Sequence, residues 1–269
     1  TTFGGIFETE ADYNDPAVKA LIEQKGFMVM PLIEFADQTP SVDIEQPYPA
    51  PPNASNWLGT DDTGRDVLAR ILYGMRVSLL FGLALTIASS LIGIIVGAIQ
   101  GYYGGWPDLI GQRFMEVWAG LPQLFMIIIL VSLFNPNVWV LFALMLLFGW
   151  MNLVGLVRAE FLRARNFDYV RAAHNLGASD LQIMLRHILP NALASSLSQL
   201  PFILTANIVA LTSLDFLGYG LPPGSPSLGE LMNQGKDNLD APWLALSAFF
   251  SLTIVLSLLI FIGEALRDA

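Results

Sequence analysis

Residues 77–99 form a run of 23 residues without a single charge. Coiled as an α-helix such a run is about 34 Å long, enough to cross the roughly 30 Å hydrocarbon core of a bilayer. Hydrocarbon offers no hydrogen bonds, so a crossing segment must satisfy its own backbone, and a run of this kind reads as a transmembrane helix. Four more runs follow at 111–134, 138–157, 192–214 and 243–262, the first of them with Arg113 and Glu116 in its opening turns. The expected fold is an all-α integral membrane protein with five transmembrane helices in this chain. Composition agrees: 13% of residues are charged, about half the share of a soluble domain.

Charge is unevenly spread. Residues 1–66 carry 12 acids and three bases, whereas the other 203 residues carry 11 acids and 10 bases. The acidic segment is punctuated by Pro31, Pro40, Pro47, Pro49, Pro51 and Pro52, which reads as a soluble, loop-rich extension. Beyond it Val67, Leu68, Ile71, Leu72 and Met75 share one helical face, and Thr63 with Asp66 has the form of a capping box. A short amphipathic helix at the membrane surface is therefore expected to feed the first span. The division expected is an external extension at 1–75 and a transmembrane domain at 76–269.

Orientation follows from the loops. Residues 158–187 hold five arginines (Arg158, Arg163, Arg165, Arg171 and Arg186) against three acids, while 215–240 hold four acids and one lysine. The positive-inside bias puts the first loop in the cytoplasm and the second outside. Counting backwards, residues 1–75 lie outside, against the pull of Arg65, Arg70 and Arg76. An external start needs translocation, so a sixth span is expected upstream of Thr1, with both true termini then cytoplasmic. Trp139 and Trp243 fall in the outer aromatic belt and Trp106 in the inner one.

Several chemistries are disfavoured. The chain has no cysteine and two histidines, His174 and His187, so thiol chemistry is absent and a metal centre is not expected. The string GTDDTGRD at 59–66 has the spacing of a phosphate-binding loop, but arginine and aspartate replace the required lysine and hydroxyl residue, and Asp61 and Asp62 repel phosphate. It reads as a turn with a helix cap. No catalytic constellation is present, so neither enzyme activity nor a bound cofactor is expected. Gln199, Asn207 and Asp215 are candidate pathway or gate residues. Together with Glu116 and Glu264 they would suit a proton relay and hence a secondary transporter, but the charged ones lie near span ends, where capping explains them. Ser89, Gly93, Gly97 and Gly101 recur every four residues, a stripe that lets another helix approach closely, read as packing within the chain. Pro122 and Pro201 mark kinks.

The loop at 158–190 is the most informative element. Tyr169, Ala172, Ala173 and Leu176 share one helical face; after Gly177 the spacing returns in Leu181, Met184, Leu185 and Ile188. Two short amphipathic helices meet at a glycine, with Ser179 and Gln182 as capping box and Pro190 closing the segment. Two alanines at the centre of the first stripe bury little area but let a backbone enter a groove. The residues alone leave that helix either packed under its own bundle or docked on a soluble partner.

The segment DYVRAAHNLGASDLQIMLRHILPNAL from Asp168 resembles the EAA loop of ATP-binding-cassette (ABC) importer permeases, with Ala172, Ala173, Gly177, Leu189 and Pro190 matching. Arg171 replaces the family glutamate and His187 an isoleucine. NWLGTDDTGRDVLARILYG from Asn56, GYYGG from Gly101 and SLDFLGYGLPPGSPSLGELMNQG from Ser213 resemble the dipeptide and oligopeptide branch. The acidic extension and the strings VRAEFLRARNFDYVRAA and APWLALSAFF resemble the second permease subunit of microcin C-type peptide importers. The resemblance implies a type I importer permease fold and half of a peptide path shared with a second, similar permease. It also implies two cytoplasmic ATPases that bind the ATP and magnesium, and a periplasmic peptide-binding protein. Asp168, Tyr169, Arg171, Ala172, Ala173, Leu176, Gly177, Ser179 and Asp180 would then form the coupling element against an ATPase. A nickel permease of the same superfamily is the near alternative.

Overall fold

The computed structural model describes residues 16–26, 35–40, 47–134 and 137–268. The expected loop character of the acidic extension at 1–15, 27–34 and 41–46 lies outside the described residues. Inside the extension a ten-residue helix is present, α1 (Pro16–Lys25). Among the described residues there is no sheet, only two isolated bridges, Pro40 with Arg65 and Thr60 with Asp66.

The main pillar is α2 (Val67–Tyr103), 37 residues and about 55 Å long. It absorbs the stretch expected to lie as a separate surface helix. Val67 and Ile71 are buried against Leu228, Leu231 and Leu244, so protein rather than a membrane surface covers that face. The cap also differs from expectation: Asp66, not Thr63, accepts from the Ala69 amide at 2.7 Å, while Thr63 donates its hydroxyl to Asp61. The helix stops at Gly104, whose φ of 62° suits glycine.

Three helices are long and apolar enough to cross a membrane, and two bent pairs bring the number among the described residues to five. The first pair, α3 (Gly105–Ala119) and α4 (Gln123–Ser132), bends by 74° where Pro122 takes an extended conformation. Next, α5 (Val138–Gly149) and α6 (Met151–Ala164) run together as one crossing. A short α7 (Asp168–Asn175) follows.

From α8 (Asp180–Ile183) the chain continues through a π turn (Met184–Ile188) into α9 (Leu189–Leu197). Pro190 thus closes nothing. The widened turn pairs the Leu189 amide with the Met184 carbonyl, and the helix passes a residue that has no N–H to give. A 55° bend leads into α10 (Leu200–Phe216), with Pro201 in its first turn. Finally, α11 (Leu228–Asp237) precedes α12 (Pro242–Asp268), the last crossing.

The glycine stripe sets how closely the pillars stand. A Cβ on Gly93 would lie 2.6 Å from the Trp150 carbonyl, one on Gly97 2.8 Å from that of Val154, and one on Gly101 2.6 Å from that of Arg158. Ser89 sits opposite Gly149. All four face the α5–α6 crossing of the same chain, where small residues allow backbone-to-backbone approach. By contrast α3 buries nothing, and α12 buries only Leu244, Ala248 and Gly263.

Candidate functional site

The α7 loop is built around Gly177. With φ at 86°, it lets the Ala178 amide reach the Ala173 carbonyl and its own amide reach that of His174, a double closure that ends the helix. Ser179 then caps α8, accepting from the Gln182 amide at 3.4 Å. Asp168 in the first turn of α7 sits where the helix dipole favours a negative charge.

Sequence spacing joins Ala172 and Ala173 in one stripe; the structure divides them. Val170 and Ala173 pack inward against Phe161, Ala164, Ile183 and Met184. Tyr169 and Ala172 are exposed, and Leu176 is 88% exposed. Consecutive helical positions stand about 100° apart, and Val170, outside the expected stripe, completes the inward pair. Arg171 and His174 flank the helix and, with Tyr102, Arg165 and Asp180, line an open cavity of about 470 Å³.

Asp180 spends one carboxylate oxygen inside the chain, accepting from the Tyr102 hydroxyl at 2.8 Å. Arg165 donates to the Tyr102 carbonyl at 3.1 Å. Nearby, Arg158 holds Asp108 through two bonds, the second at 2.7 Å, joining α6 to α3.

The opposite end of the bundle carries a cluster that sequence reasoning missed. Arg70 is fully buried and donates to the Glu230 carboxylate at 2.8 Å and to the Ser225 and Asp37 carbonyls. Its Nε stands 3.4 Å from Asp61, itself fully buried. Asp61 also takes the Arg65 guanidinium at 2.7 Å and the amides of Thr63 and Arg65. The turn that might have cradled a phosphate is thus filled by its own carboxylate. Trp243, expected in the outer aromatic belt, donates its indole N–H to the Thr60 carbonyl.

The expected pathway residues are not brought together. They are strung along one helix, with Gln199 at one end of α10 and Asp215 at the other, about 24 Å apart by helical rise. Asn207 is buried and donates to Thr86 on α2 at 2.9 Å. Asp215 accepts from the Leu221 amide at 2.6 Å and from the Ser227 hydroxyl at 2.5 Å. That same hydroxyl caps α11 by accepting from the Gly229 and Glu230 amides.

Residues 71–269 match the family described as binding-protein-dependent transport system inner membrane component. The chain belongs to this family. It is 60% identical to the inner membrane ABC transporter permease protein YejE of Escherichia coli, over 99% of this chain and 78% of the relative. The peptidoglycan transport system permease protein YejE of Agrobacterium fabrum is 52% identical over 99% of this chain and 76% of its own. The oligopeptide transport system permease protein OppC of Lactococcus lactis subsp. lactis (strain IL1403) is 37% identical over 84% of this chain and 78% of its own.

Among solved structures, the inward-facing MetNI methionine ABC transporter matches with a TM-score of 0.52 at 14% identity, over 73% of this chain and 96% of the other. The fold is therefore that of a type I ABC importer permease. For such a permease a membrane location follows from family and apolar helices together, and the reading as a secondary transporter has no support. The buried Arg70 cluster joins two strings quoted for the resemblance, GTDDTGRD and SPSLGE, which lie some 160 positions apart. Paired opposite charges beside apolar runs were the signal available for finding it.

Proposed function

We propose that this permease forms half of a peptide path across the bacterial inner membrane, with α7 seated in a groove of a cytoplasmic ATPase. The observation that carries the reading is Ala172, exposed between Tyr169 and Leu176 on a helix whose other side is already packed. An exposed apolar face of that kind is what a protein partner covers. Asp168, Arg171, Gly177 and Ser179 complete the coupling element, while Ala173 and Asp180 hold it to the bundle. Arg171 offers positive charge where the family carries a glutamate, and a carboxylate of the ATPase is the complementary group. ATP and magnesium belong to the two ATPases, and a second permease and a periplasmic peptide-binding protein complete the importer.

Residues 1–75 and the loop at 215–240 lie on the periplasmic side in this reading, and the loop at 158–190 with the C-terminal end on the cytoplasmic side. The arginine excess of that loop supports the orientation. Peptides are the proposed cargo, supported by the named substrate of the oligopeptide relative; microcin C-type peptides are the finer proposal. Asp215, Asn207 and Gln199 are then helix-packing and loop-holding residues rather than cargo contacts.

The test is co-expression with the neighbouring permease, ATPases and binding protein. ATPases retained on the purified membrane complex, with uptake of labelled oligopeptides into vesicles that needs ATP, are expected. Assembly without the ATPases, or uptake driven by a proton gradient alone, overturns the reading.

A further inference from the structure

Beyond its resemblance and the place of Gly101 in the small-residue stripe, the string GYYGG gave no role in the sequence. In the structure it lies where α2 ends and α3 begins, and each of three residues has a distinct contact. Gly101 admits the Arg158 carbonyl and Phe161, where a Cβ would come within 2.6 Å of that oxygen. Gly104 makes room for the Arg165 guanidinium, 2.5 Å from where its Cβ would stand. Between them Tyr102 grips both ends of the coupling loop. Its carbonyl accepts from Arg165, just before α7, and its hydroxyl donates to Asp180, just after it.

We infer that Tyr102 is a positioning residue that ties displacement of the α7 loop to α2. The inference rests on the reading of α7 as the ATPase-facing element. Without this tie the loop joins the bundle through its covalent ends, the α6 and α8 helices, and through the inward packing of Val170 and Ala173. With it, a push on the exposed face of α7 reaches α2 directly. That helix is interlocked with α6 along Gly93, Gly97 and Gly101 and begins beside the buried Arg70 cluster, so motion at one end of the bundle is carried to the other. The hydroxyl–carboxylate bond, at 2.8 Å, has the ordinary length of an O–H donor on an oxygen acceptor.

The experiment uses the complete importer in proteoliposomes and reads peptide transported per ATP hydrolysed. Tyr102→Phe removes one oxygen and keeps the backbone carbonyl that Arg165 uses. It is expected to leave complex yield and basal hydrolysis unchanged and to lower the transport-to-hydrolysis ratio at least threefold. Asp180→Ala lowers the ratio similarly, and the double variant falls no further than either alone. Asp180→Asn, which keeps a carbonyl oxygen as acceptor, restores most of the ratio. An unchanged ratio in Tyr102→Phe, additive losses in the double variant, or a drop in complex yield matching the drop in transport overturns the assignment. A wild-type permease that fails to retain the ATPases defeats the functional reading instead, so the two failures are told apart.

Discussion

The two ends of the bundle handle charge in opposite ways. At the acidic end Arg70 and Asp61 are fully buried and, with Arg65 and Glu230, form a cluster that pairs two cations with two anions. At the arginine-rich end Arg171 and His174 line an open cavity, and a leucine stands almost wholly in the open at position 176. One end is finished within the chain. The other presents a rigid, capped helix whose outward face and flanking charges are left for another molecule. A buried ion cluster loses heavily when one member is removed, whereas an exposed face loses only what a partner would have contributed. Damage at the first end should therefore register as instability, and damage at the second as failed association.

The largest expected effect is at the finished end. Arg70→Ala leaves Asp61 and Glu230 facing one cation fewer, and a broken buried pair costs about 3 kcal/mol or more. Thermal unfolding of the purified permease should fall clearly, with residues 47–66 opened to protease while the spans remain inserted. Unchanged stability would mean the cluster is merely tolerated.

Next come the two adjacent alanines. Ala173→Leu overpacks the contact with Phe161 and Ile183, at about 1–3 kcal/mol of stability. Ala172→Leu should leave stability alone and weaken retention of the ATPases, roughly tenfold for each 1.4 kcal/mol of misfit. Equal behaviour of the two variants would erase the division that the structure draws between neighbours. The smallest effect belongs to Asp215→Asn. It replaces one acceptor oxygen with a donor at the Ser227–Leu221 junction and should cost about 1 kcal/mol, seen as faster hydrogen exchange at 218–227, with uptake retained. Lost uptake at full stability would give Asp215 a role in cargo passage.

Much of this was legible beforehand because it depends on local pattern. Long apolar runs marked the three crossing helices and the two bent pairs, although one run carries Arg113 and Glu116, and Pro122 and Pro201 sit at the two bends. Gly177 and Ser179 announced the corner between α7 and α8. What sequence could not give needed either distance or phase. Arg70 meets Glu230 across 160 positions, and no local period points from one to the other. Residues 67–75 do have an amphipathic face, but only the packed α11 and α12 make it an interior one. Ala172 and Ala173 differ by a single helical step, and Val170 decides which of them turns inward. Tyr102 and Asp180 lie in separate elements, and neither belongs to a periodic stripe.

The elbow at Gly120–Pro122 has a consequence for what surrounds the molecule. A helix that ends and another that begins interrupt the backbone ladder; turn bonds from Gly120 to Glu116, Leu121 to Trp118 and Met126 to Pro122 close part of the gap, and α4 starts with no side-chain cap. Positions 119–123 are all exposed, and α3 and α4 reach crossing length only when the two are taken together as one broken span. Bare peptide groups are not tolerated against lipid tails. That side of the molecule is therefore suited to water or to other protein, while the unbroken apolar outer faces of α2 and α12 are suited to hydrocarbon. The break in the helix thus bears on how the subunit turns about its own axis, a direction that hydropathy, which measures only depth, leaves open.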